Sequence, residues 1–336
     1  MRIVLDAMGS DNHPAPEVEA AVELAPSMGA DLILVGDAPR LKEMLGSRAA
    51  GIEVVNAPEV FEMSDHIGPG ALRRSQNSMG VALDLVKSGE AAAFVTAGNT
   101  GGALAIALAR LGRLQGVLRP ALTVMYPVKG GRCVALDIGA NAECKPEYLQ
   151  QFALMGAVYA EEILGISSPR IGLISNGEEE GKGNDLIKAT FPLIAASGLN
   201  FVGNMESKEL FGGQADVAVT DGFTGNVLMK TAEAVAKLIT ERLREELMAS
   251  PLTKIGGLLS RPAFRRLRKD LDPGEIGAAT LLGVNGLVFI GHGRSDGRAI
   301  VSAVKLAQRS AQVGLLDSLR MRIEQGLSQV TAPASE

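Results

Sequence analysis

The chain has 336 residues, of which 46% are hydrophobic and 21% charged, and its 33 basic and 38 acidic side chains leave a net charge of -5. This balance is typical of a folded globular protein and argues against a disordered chain and against nucleic acid as a partner. The two cysteines, Cys133 and Cys144, form no CxxC pair, so the sequence indicates neither a disulfide framework nor a thiolate metal site.

No segment predicts export or a membrane span. The first residues, MRIVLDAMG, place only three apolar residues before Asp6, which is too short for the apolar part of a secretory signal. The longest charge-free stretch, between Glu90 and Arg110, is interrupted by the polar and glycine residues of TAGNTGG. We therefore expect a cytoplasmic location.

Short apolar runs alternate with longer segments of helical periodicity, which predicts an α/β fold with a largely parallel sheet. Strands are predicted at 2–6, 31–36, 52–56, 92–96, 121–126, 132–137, 170–175, 216–220 and 286–290. Helices are predicted at 16–28, 76–88, 101–113, 147–164, 184–196, 225–248 and 296–313. We expect residues 1–330 to form one large α/β unit, with two subdomains as an alternative.

Two segments depart from this alternation. Residues 250–275 are basic and apolar and contain three prolines, which predicts an arm that leaves the sheet. Residues 331–336 are small and polar and predict a flexible tail.

Five predicted strands are followed by a turn rich in glycine or asparagine that opens the next segment. In open α/β sheets ligands bind beyond the carboxyl ends of the strands, so we expect these turns to converge at one edge. Free N–H groups at helix starts, with glycine allowing close approach, favour phosphate or another oxyanion there. The turns are DAMGSD (6–11), TAGNTGG (96–102), DIGAN (137–141), SNGEEEGKGND (175–185) and TDGFTGN (220–226).

Each turn alone is more typical of a helix cap or a tight connection than of a binding site. Five of them in one chain favour a shared anion site. The sequence contains neither GxGxxG nor GxxxxGK[ST], which argues against the common dinucleotide and P-loop modes of phosphate binding.

Two residues in these turns are candidates for chemistry. Lys182 lies between two glycines, where its ammonium suits an anion or a developing oxyanion, but a solvated lysine paired with a glutamate of 178–180 fits the spacing equally well. Asn226 lies near the start of a long predicted helix, where its amide either caps the helix or donates to a substrate oxygen.

The other reactive residues match no hydrolytic or metal motif. His13, His66 and His292 show no HxxxH or HExxH spacing, and no GxSxG elbow is present. A reaction between two bound substrates, promoted by binding and orientation, is therefore the natural hypothesis.

Seven motifs follow one another in a distinctive order: DAMGSD, TAGNTGG, DIGAN, NGEEEGKGND, NFVGNME, DVAVTDGFTGNV and GVNGLVFIGHG. In this order they resemble the bacterial phosphate acyltransferase (PlsX) family nearly from end to end. The resemblance implies transfer of a long-chain fatty acyl group from acyl carrier protein to inorganic phosphate, giving an acyl phosphate for phospholipid synthesis. It also implies a homodimer, no metal or redox cofactor, and a three-layer α/β/α fold similar to isocitrate and isopropylmalate dehydrogenases and phosphotransacetylases.

The resemblance also implies roles for individual residues. Lys182 would carry the main electrostatic role toward phosphate or the tetrahedral oxyanion, and Asn226 would hydrogen-bond the reacting centre. The residues implied to line the phosphate and acyl-donor pocket are Asp6, Gly9, Asn99, Thr100, Gly101, Asn141, Asn184, Asp221, Gly222 and Thr224.

The chain departs from the family pattern at three positions. Ser10 replaces the second glycine of the first motif, and Ser207 replaces the glycine after GNxE. Ile290 stands where the family commonly has a lysine, so no anion-binding role is carried over to that turn.

The predicted arm combines apolar and basic side chains, which suits a segment that lies on anionic lipid. Packing against a second subunit fits the same pattern, and the arginines also suit the acidic carrier protein. We expect peripheral, salt-sensitive membrane association, with a membrane-bound acyltransferase that consumes acyl phosphate as a further partner. The residues predicted to make these contacts are Leu252, Ile255, Leu258, Leu259, Arg261, Arg265 and Arg266.

Two other functions remain open at this point. One is a phosphotransacetylase-type enzyme that uses acyl-coenzyme A, and the other is a non-catalytic membrane scaffold for lipid-synthesis partners. A dehydrogenase of the same fold is disfavoured because the sequence lacks a nucleotide fingerprint.

Overall fold

The computed structural model describes residues 1–28, 31–49, 51–63, 65, 76–271 and 273–331. The strands in these residues are β1 (Ile3–Asp6), β2 (Leu32–Gly36), β3 (Glu53–Asn56), β4 (Ala93–Thr96), β5 (Ala121–Val128), β6 (Gly131–Leu136), β7 (Ile171–Ile174), β8 (Phe201–Met205), β9 (Val217–Val219), β10 (Ala279–Leu282) and β11 (Leu287–Ile290). The α-helices are α1 (Ala15–Met28), α2 (Ala38–Leu45), α3 (Ser78–Lys87), α4 (Thr100–Leu111), α5 (Pro146–Tyr159), α6 (Asp185–Ala195), α7 (Ser207–Gly212), α8 (Gly222–Met248), α9 (Pro251–Leu271), α10 (Gly297–Gln312) and α11 (Leu315–Thr331).

All these strands lie in one sheet, in the order β3-β2-β1-β4-β11-β10-β5-β6-β9-β7-β8. The sheet is mostly parallel, as predicted, and its antiparallel pairings are those of β10 with β11 and β5 and of β5 with β6. These pairings make β6, β9, β7 and β8 run opposite to β1, β2, β3, β4 and β11.

The prediction that all five turns share one edge of the sheet is therefore wrong. The turns after β1 and β4 lie at one end, and the turns after β6, β7 and β9 lie at the opposite end. Hydrophobic periodicity marks where a strand ends but carries no information about its direction in the sheet. The two groups can meet only across the face of the sheet.

Helices cover both faces of the sheet, which confirms the three-layer α/β/α prediction. Leu5 and Val95 pack into one hydrophobic cluster and Val4 and Phe94 into the other, and all four side chains are buried. Helices α1 and α10 pack against each other on the first face, and α3 and α4 do so on the second. Strands buried on both faces read as continuous apolar runs, which is why β1, β2 and β4 were predictable.

The sequence pattern missed β8, β10, α2, α7 and α11. Strand β8 contains Gly203 in a positive-φ conformation, and such a residue interrupts the strand signal. Helix α8 begins at Gly222, three residues before the predicted start. Helix α11 extends to Thr331, so the predicted tail is helical at its first residue, and 332–336 lie outside the described residues.

The predicted arm is a helical hairpin made of the second part of α8 and all of α9. Only Gly222 and Gly225 of α8 are buried, and the two helices pack on each other through contacts such as Gly257 against Leu247. The arm thus begins well before residue 250, where the sequence placed its start. None of the helices in the described ranges is long and apolar enough to cross a membrane.

Candidate active site

Asp6 ends β1 and lies fully buried under the first glycine-rich turn. Its carboxylate accepts hydrogen bonds from Thr96 Oγ1 at 2.7 Å and from the Met8 backbone N–H at 3.0 Å. Burial raises the pKa of Asp6, and these hydrogen bonds oppose the rise. The side chain ties the turn after β1 to the end of β4.

Gly9 and Asn99 organise the same end of the sheet. A Cβ atom at Gly9 would lie 2.7 Å from Thr96 Oγ1 and 2.8 Å from the Gly98 nitrogen, so the turn after β1 packs directly on the turn after β4. Asn99 is the N-cap of α4, and its Oδ1 accepts a hydrogen bond from the Gly102 N–H at 2.9 Å. Both predicted site residues therefore shape the turns.

Asp137, which the sequence analysis did not single out, organises the opposite end of the sheet. Its carboxylate accepts hydrogen bonds from the backbone N–H groups of Leu122 (3.0 Å), Gly139 (3.1 Å), Ala140 (3.0 Å) and Asn141 (2.7 Å). The Asn141 amide adds a further hydrogen bond at 2.9 Å. Burial raises the pKa of Asp137 against these donors. The DIGAN turn is thus wrapped around one buried carboxyl group.

Helix α8 begins on this wrapped turn. The Gly222 N–H donates to the Asn141 carbonyl oxygen at 2.8 Å, and a Cβ atom at Gly222 would lie only 2.5 Å from that oxygen, so the position requires glycine. Asp221 is the N-cap and accepts hydrogen bonds from the N–H and the Oγ1 of Thr224, both at 2.8 Å. These four predicted site residues fix where the helix starts.

Asn226 lies in the first turns of α8 with its side chain exposed. The expectation that it caps the helix is wrong, because Asp221 occupies the N-cap position. Its side chain faces Gly139, where an added Cβ would lie 3.9 Å from Asn226 Oδ1. In the described part of the chain the Asn226 amide has no hydrogen-bond partner, so it is available to a ligand.

Lys182 is exposed and lies in the turn after β7. Strand β7 pairs with β9, the strand that precedes α8. Its backbone N–H donates to the Glu179 carbonyl oxygen at 3.0 Å, and Glu178, one of its expected partners, pairs with Lys208 instead at 3.1 Å. Within the described residues no carboxylate lies within ion-pair distance of the Lys182 ammonium. The remaining predicted residue of this turn, Asn184, is the N-cap of α6.

A large apolar cavity lies between α8 and the central strands of the sheet. Its volume is about 1720 Å³, and it connects Thr100 and Gly101 at one end of the sheet with Asn226 at the other. Lys182 does not line it. The cavity continues along the arm, where Leu258 and Arg261 contribute to its wall. Among the apolar side chains of its central part are Leu104, Leu122, Val124, Leu228, Leu281 and Ile290.

The contact residues predicted on the arm are exposed. The exposed fractions are 79% for Leu252, 59% for Ile255, 66% for Leu258 and 77% for Leu259. The predicted arginines are likewise exposed, and they are Arg261, Arg265 and Arg266.

The two thiols are poorly suited to nucleophilic attack. Burial raises the pKa of Cys133 to about 12 and that of Cys144 to about 11, so both remain protonated near neutral pH. Over the residues that the structure describes, no group of three or more His, Cys, Asp or Glu side chains is placed to hold a metal ion.

The sequence model of the fatty acid synthesis protein family matches residues 1–317. A phosphate acyltransferase from Pelotomaculum thermopropionicum is 45% identical over 326 residues, which are 96% of this chain and 95% of the relative. The chain belongs to the phosphate acyltransferase family. Another phosphate acyltransferase, from Elusimicrobium minutum, is 43% identical over 327 residues, with 96% of each chain covered. Because it belongs to the phosphate acyltransferase family, this chain is an acyltransferase. The alternative of a non-catalytic membrane scaffold is therefore excluded.

Solved structures that resemble the chain confirm the predicted phosphotransacetylase-like fold of this phosphate acyltransferase family member. The EutD phosphotransacetylase from Staphylococcus aureus has a TM-score of 0.58 at 15% identity, covering 93% of this chain and 94% of its own. A branched-chain phosphotransacylase from Enterococcus faecalis V583 has a TM-score of 0.52 at 14% identity, and the match covers 92% of this chain and 99% of its own. At such low identity the likeness concerns the fold alone.

Proposed function

We propose that this acyltransferase moves a long-chain fatty acyl group from acyl carrier protein to inorganic phosphate and forms an acyl phosphate for phospholipid synthesis. The observation that supports this most is the apolar cavity of about 1720 Å³, which reaches Asn226, whose amide has no hydrogen-bond partner among the described residues. An acetyl group would fill little of such a cavity, whereas a long alkyl chain gains free energy with each buried methylene.

The chemistry needs binding and charge stabilisation. A phosphate oxygen attacks the thioester carbonyl carbon, and the carbonyl oxygen becomes an oxyanion. The carbon–sulfur bond then breaks, and the acyl phosphate forms. The departing thiolate takes up the proton that the attacking hydrogen phosphate loses, so the carrier leaves as a thiol. In the reverse direction the thiol attacks the acyl phosphate, so the same groups serve both reactions.

Asn226 and Lys182 supply the two groups that this step needs. The Asn226 amide donates a hydrogen bond to the oxyanion, and the Lys182 ammonium, which no carboxylate in the described residues neutralises, attracts phosphate or the developing charge. Lys182 lies in the turn after β7, and Asn226 lies at the start of the helix that follows β9. Strands β7 and β9 are parallel neighbours, so both residues lie at the same end of the sheet. The alignment of two bound substrates provides the rest of the acceleration.

The direct test is phosphate-dependent release of free carrier thiol from palmitoyl-acyl carrier protein, with hydroxylamine trapping of the acyl phosphate. We expect both products, and neither without phosphate. Stronger turnover of palmitoyl-coenzyme A than of the carrier substrate would favour the phosphotransacetylase-type alternative. Absence of product from either donor would contradict the proposal.

The arm has a proposed role at an anionic membrane surface. Its exposed leucines suit insertion between lipids, and its exposed arginines suit anionic headgroups, so binding would be peripheral and weakened by salt. Such a position would deliver an insoluble acyl phosphate close to a membrane-bound acyltransferase that consumes it. A homodimer, and contact of the arginines with the acidic carrier protein, belong to the same proposal.

A further inference from the structure

Three basic side chains meet around Glu233 on the wall of the cavity. Glu233 Oε2 lies 3.2 Å from Lys230 Nζ and 3.7 Å from Arg294 Nη2, and Oε1 lies 3.6 Å from His292 Nε2. The Glu233 side chain is only 19% exposed, whereas Lys230 and Arg294 are 53% and 71% exposed. One carboxylate thus faces two permanent cations, and the cluster carries excess positive charge toward the solvent side of the cavity.

Two neutral hydrogen-bonding groups, His292 and Tyr126, lie on the wall of the same cavity. Burial, together with Lys230 and Arg294, lowers the pKa of His292 against the opposing effect of Glu233, so the imidazole is neutral near pH 7. The Tyr126 hydroxyl is buried on the wall of the same cavity and has no hydrogen-bond partner within the described residues. A buried hydroxyl without a partner is costly, which indicates that a ligand or water completes it.

Lys230 and Glu233, the two cluster residues on α8, lie on the same face of the helix as Asn226. Lys230 follows Asn226 by four residues and Glu233 follows it by seven, spacings that bring side chains onto one face of a helix. At 1.5 Å per residue they lie about 6 and 10 Å along the helix axis from Asn226. All three residues line the cavity. The acylated phosphate has to touch the carbonyl beside Asn226, so it cannot be the anion that the Glu233 cluster attracts.

We propose that the Glu233 cluster is an anion subsite for the phosphate ester on the thiol linker of the acyl donor. Lys230 and Arg294 bind the ester phosphate, while His292 and Tyr126 hydrogen-bond the neutral amide and hydroxyl groups of the linker. This inference rests on the proposed function, which puts the thioester at Asn226. Acyl carrier protein and coenzyme A both carry a phosphorylated pantetheine linker, so the subsite recognises the chemistry that they share.

The test compares binding of phosphopantetheine and of pantetheine to the full-length chain by calorimetry. We expect the wild type to bind phosphopantetheine on the order of tenfold more tightly, as hydrogen bonds to a charged group suggest. Arg294→Ala and Lys230→Ala each reduce that preference toward one, and Arg294→Lys retains most of it. Pantetheine binding stays the same in all three variants.

Arg298→Ala is the matched control. Arg298 is 75% exposed, pairs with Glu275 at 3.0 Å and does not line the cavity, so its loss leaves the preference intact. A wild type without any preference for phosphopantetheine, including one that binds neither compound, overturns the subsite. So does an equal effect of Arg298→Ala and Arg294→Ala. Neither ligand carries an acyl group, so a preference without any acyl phosphate formation would retain the subsite and reject the proposed function.

Steady-state kinetics distinguish acyl carrier protein from coenzyme A as the source of the phosphate ester. With palmitoyl-acyl carrier protein and palmitoyl-coenzyme A as donors, Arg294→Ala should raise KM for both and leave kcat nearly unchanged, because the subsite holds the linker and not the reacting atoms. A KM effect confined to the carrier substrate would instead indicate that Arg294 contacts the carrier protein surface and would contradict the linker subsite.

Discussion

Gly225 packs so tightly against the backbone carbonyl group of Asp137 that no Cβ atom fits between them. Asp137 is held in turn by four backbone N–H groups, and Asn226 follows Gly225 directly. The position of the Asn226 amide therefore depends on Asp137, a buried residue that directly follows β6.

Gly225→Ala tests this arrangement. The added methyl group has to displace α8 from the turn after β6, and a shift of about 1 Å at a reacting group is enough for a loss of roughly a hundredfold in kcat. Gly131→Ala is the control, because nothing lies within 4 Å of a Cβ atom at Gly131, which belongs to the strand that leads to Asp137. Steady-state kinetics with palmitoyl-acyl carrier protein measure the effect, and wild-type kcat in Gly225→Ala would contradict it.

Lys182→Ala should reduce kcat on the order of a hundredfold, as the removal of a group that stabilises an oxyanion does. The midpoint of thermal unfolding should stay nearly constant, because Lys182 is exposed and has no ion pair among the described residues. Lys188→Ala, an exposed lysine on α6, serves as the control. Turnover of Lys182→Ala close to that of Lys188→Ala would remove Lys182 from the mechanism.

Glu17 should make stability depend on pH. Its Oε1 accepts a hydrogen bond from the Ser10 N–H at 3.0 Å, but burial dominates and raises the pKa of Glu17 from 4.5 to about 7. The folded chain keeps this proton to higher pH than the unfolded chain does. The resulting stabilisation is complete below pH 4.5 and is lost as the pH rises through about 7, a change of roughly 3 kcal/mol.

Glu17→Gln removes this titration and keeps the acceptor for the Ser10 N–H. We expect the variant to lose less unfolding free energy than the wild type between pH 4.5 and about pH 8, as measured by urea denaturation. Glu23→Gln, which changes an exposed residue of the same helix, should follow the wild-type curve. Parallel curves for the wild type and Glu17→Gln would show that Glu17 ionises normally in the folded chain.

Membrane binding should depend on the exposed leucines of α9. The double substitution Leu252→Asp and Leu259→Asp replaces two apolar side chains that do not line the cavity, and flotation with anionic vesicles should fall more than tenfold. Ser260→Asp adds charge to the same helix and controls for repulsion from the vesicle. Equal flotation of the double variant and the wild type would place the membrane contact elsewhere, and a changed molar mass in light scattering would point to a subunit interface.

Ala232→Phe should shift the preference toward shorter acyl chains. Ala232 is half-buried on α8 and lines the cavity, so a larger side chain narrows the space for the alkyl chain at a cost of about 1–3 kcal/mol. We expect kcat/KM for palmitoyl-acyl carrier protein to fall roughly tenfold and that for hexanoyl-acyl carrier protein to stay constant. Ala234→Phe changes an exposed residue outside the cavity and should leave both values unchanged. A parallel loss with both donors would show that the chain does not pass Ala232.

The strands that the sequence predicts well are those whose side chains are buried on both faces. β1 and β4 read as continuous apolar runs, and the glycine turns after them are visible as motifs. β10 is four residues long and lies in the middle of the sheet, and its antiparallel pairing with β11 and β5 depends on contacts distant in sequence. With β10 between them, β5 runs in the same direction as β11, and the antiparallel pairing of β5 with β6 then reverses the remaining strands. Because the place of β10 is not set locally, the sequence pattern could not predict which turns share an edge.

The residues predicted for the site differ in where the structure places them. Asn226 and Thr100 line the cavity, whereas Asn99, Asn184 and Asp221 serve as helix caps, the role that such residues most often have before a helix. Asp137 belongs to the DIGAN motif, but nothing in that motif reveals that the loop folds back to donate four N–H groups to it. The Glu233 cluster joins α8 to the turn after β11, two segments about sixty residues apart, so no local spacing marks it.

The pairing of β4 with β11 has a consequence during synthesis on the ribosome. Residues 93–96 stay without their second neighbour until residues 287–290 have been made, so β4 presents an open strand edge while most of the chain is translated. Such an edge is a template for pairing with other nascent chains. We therefore expect the nascent chain to bind chaperones until β11 emerges. We also expect truncated chains that lack β11 to aggregate rather than fold.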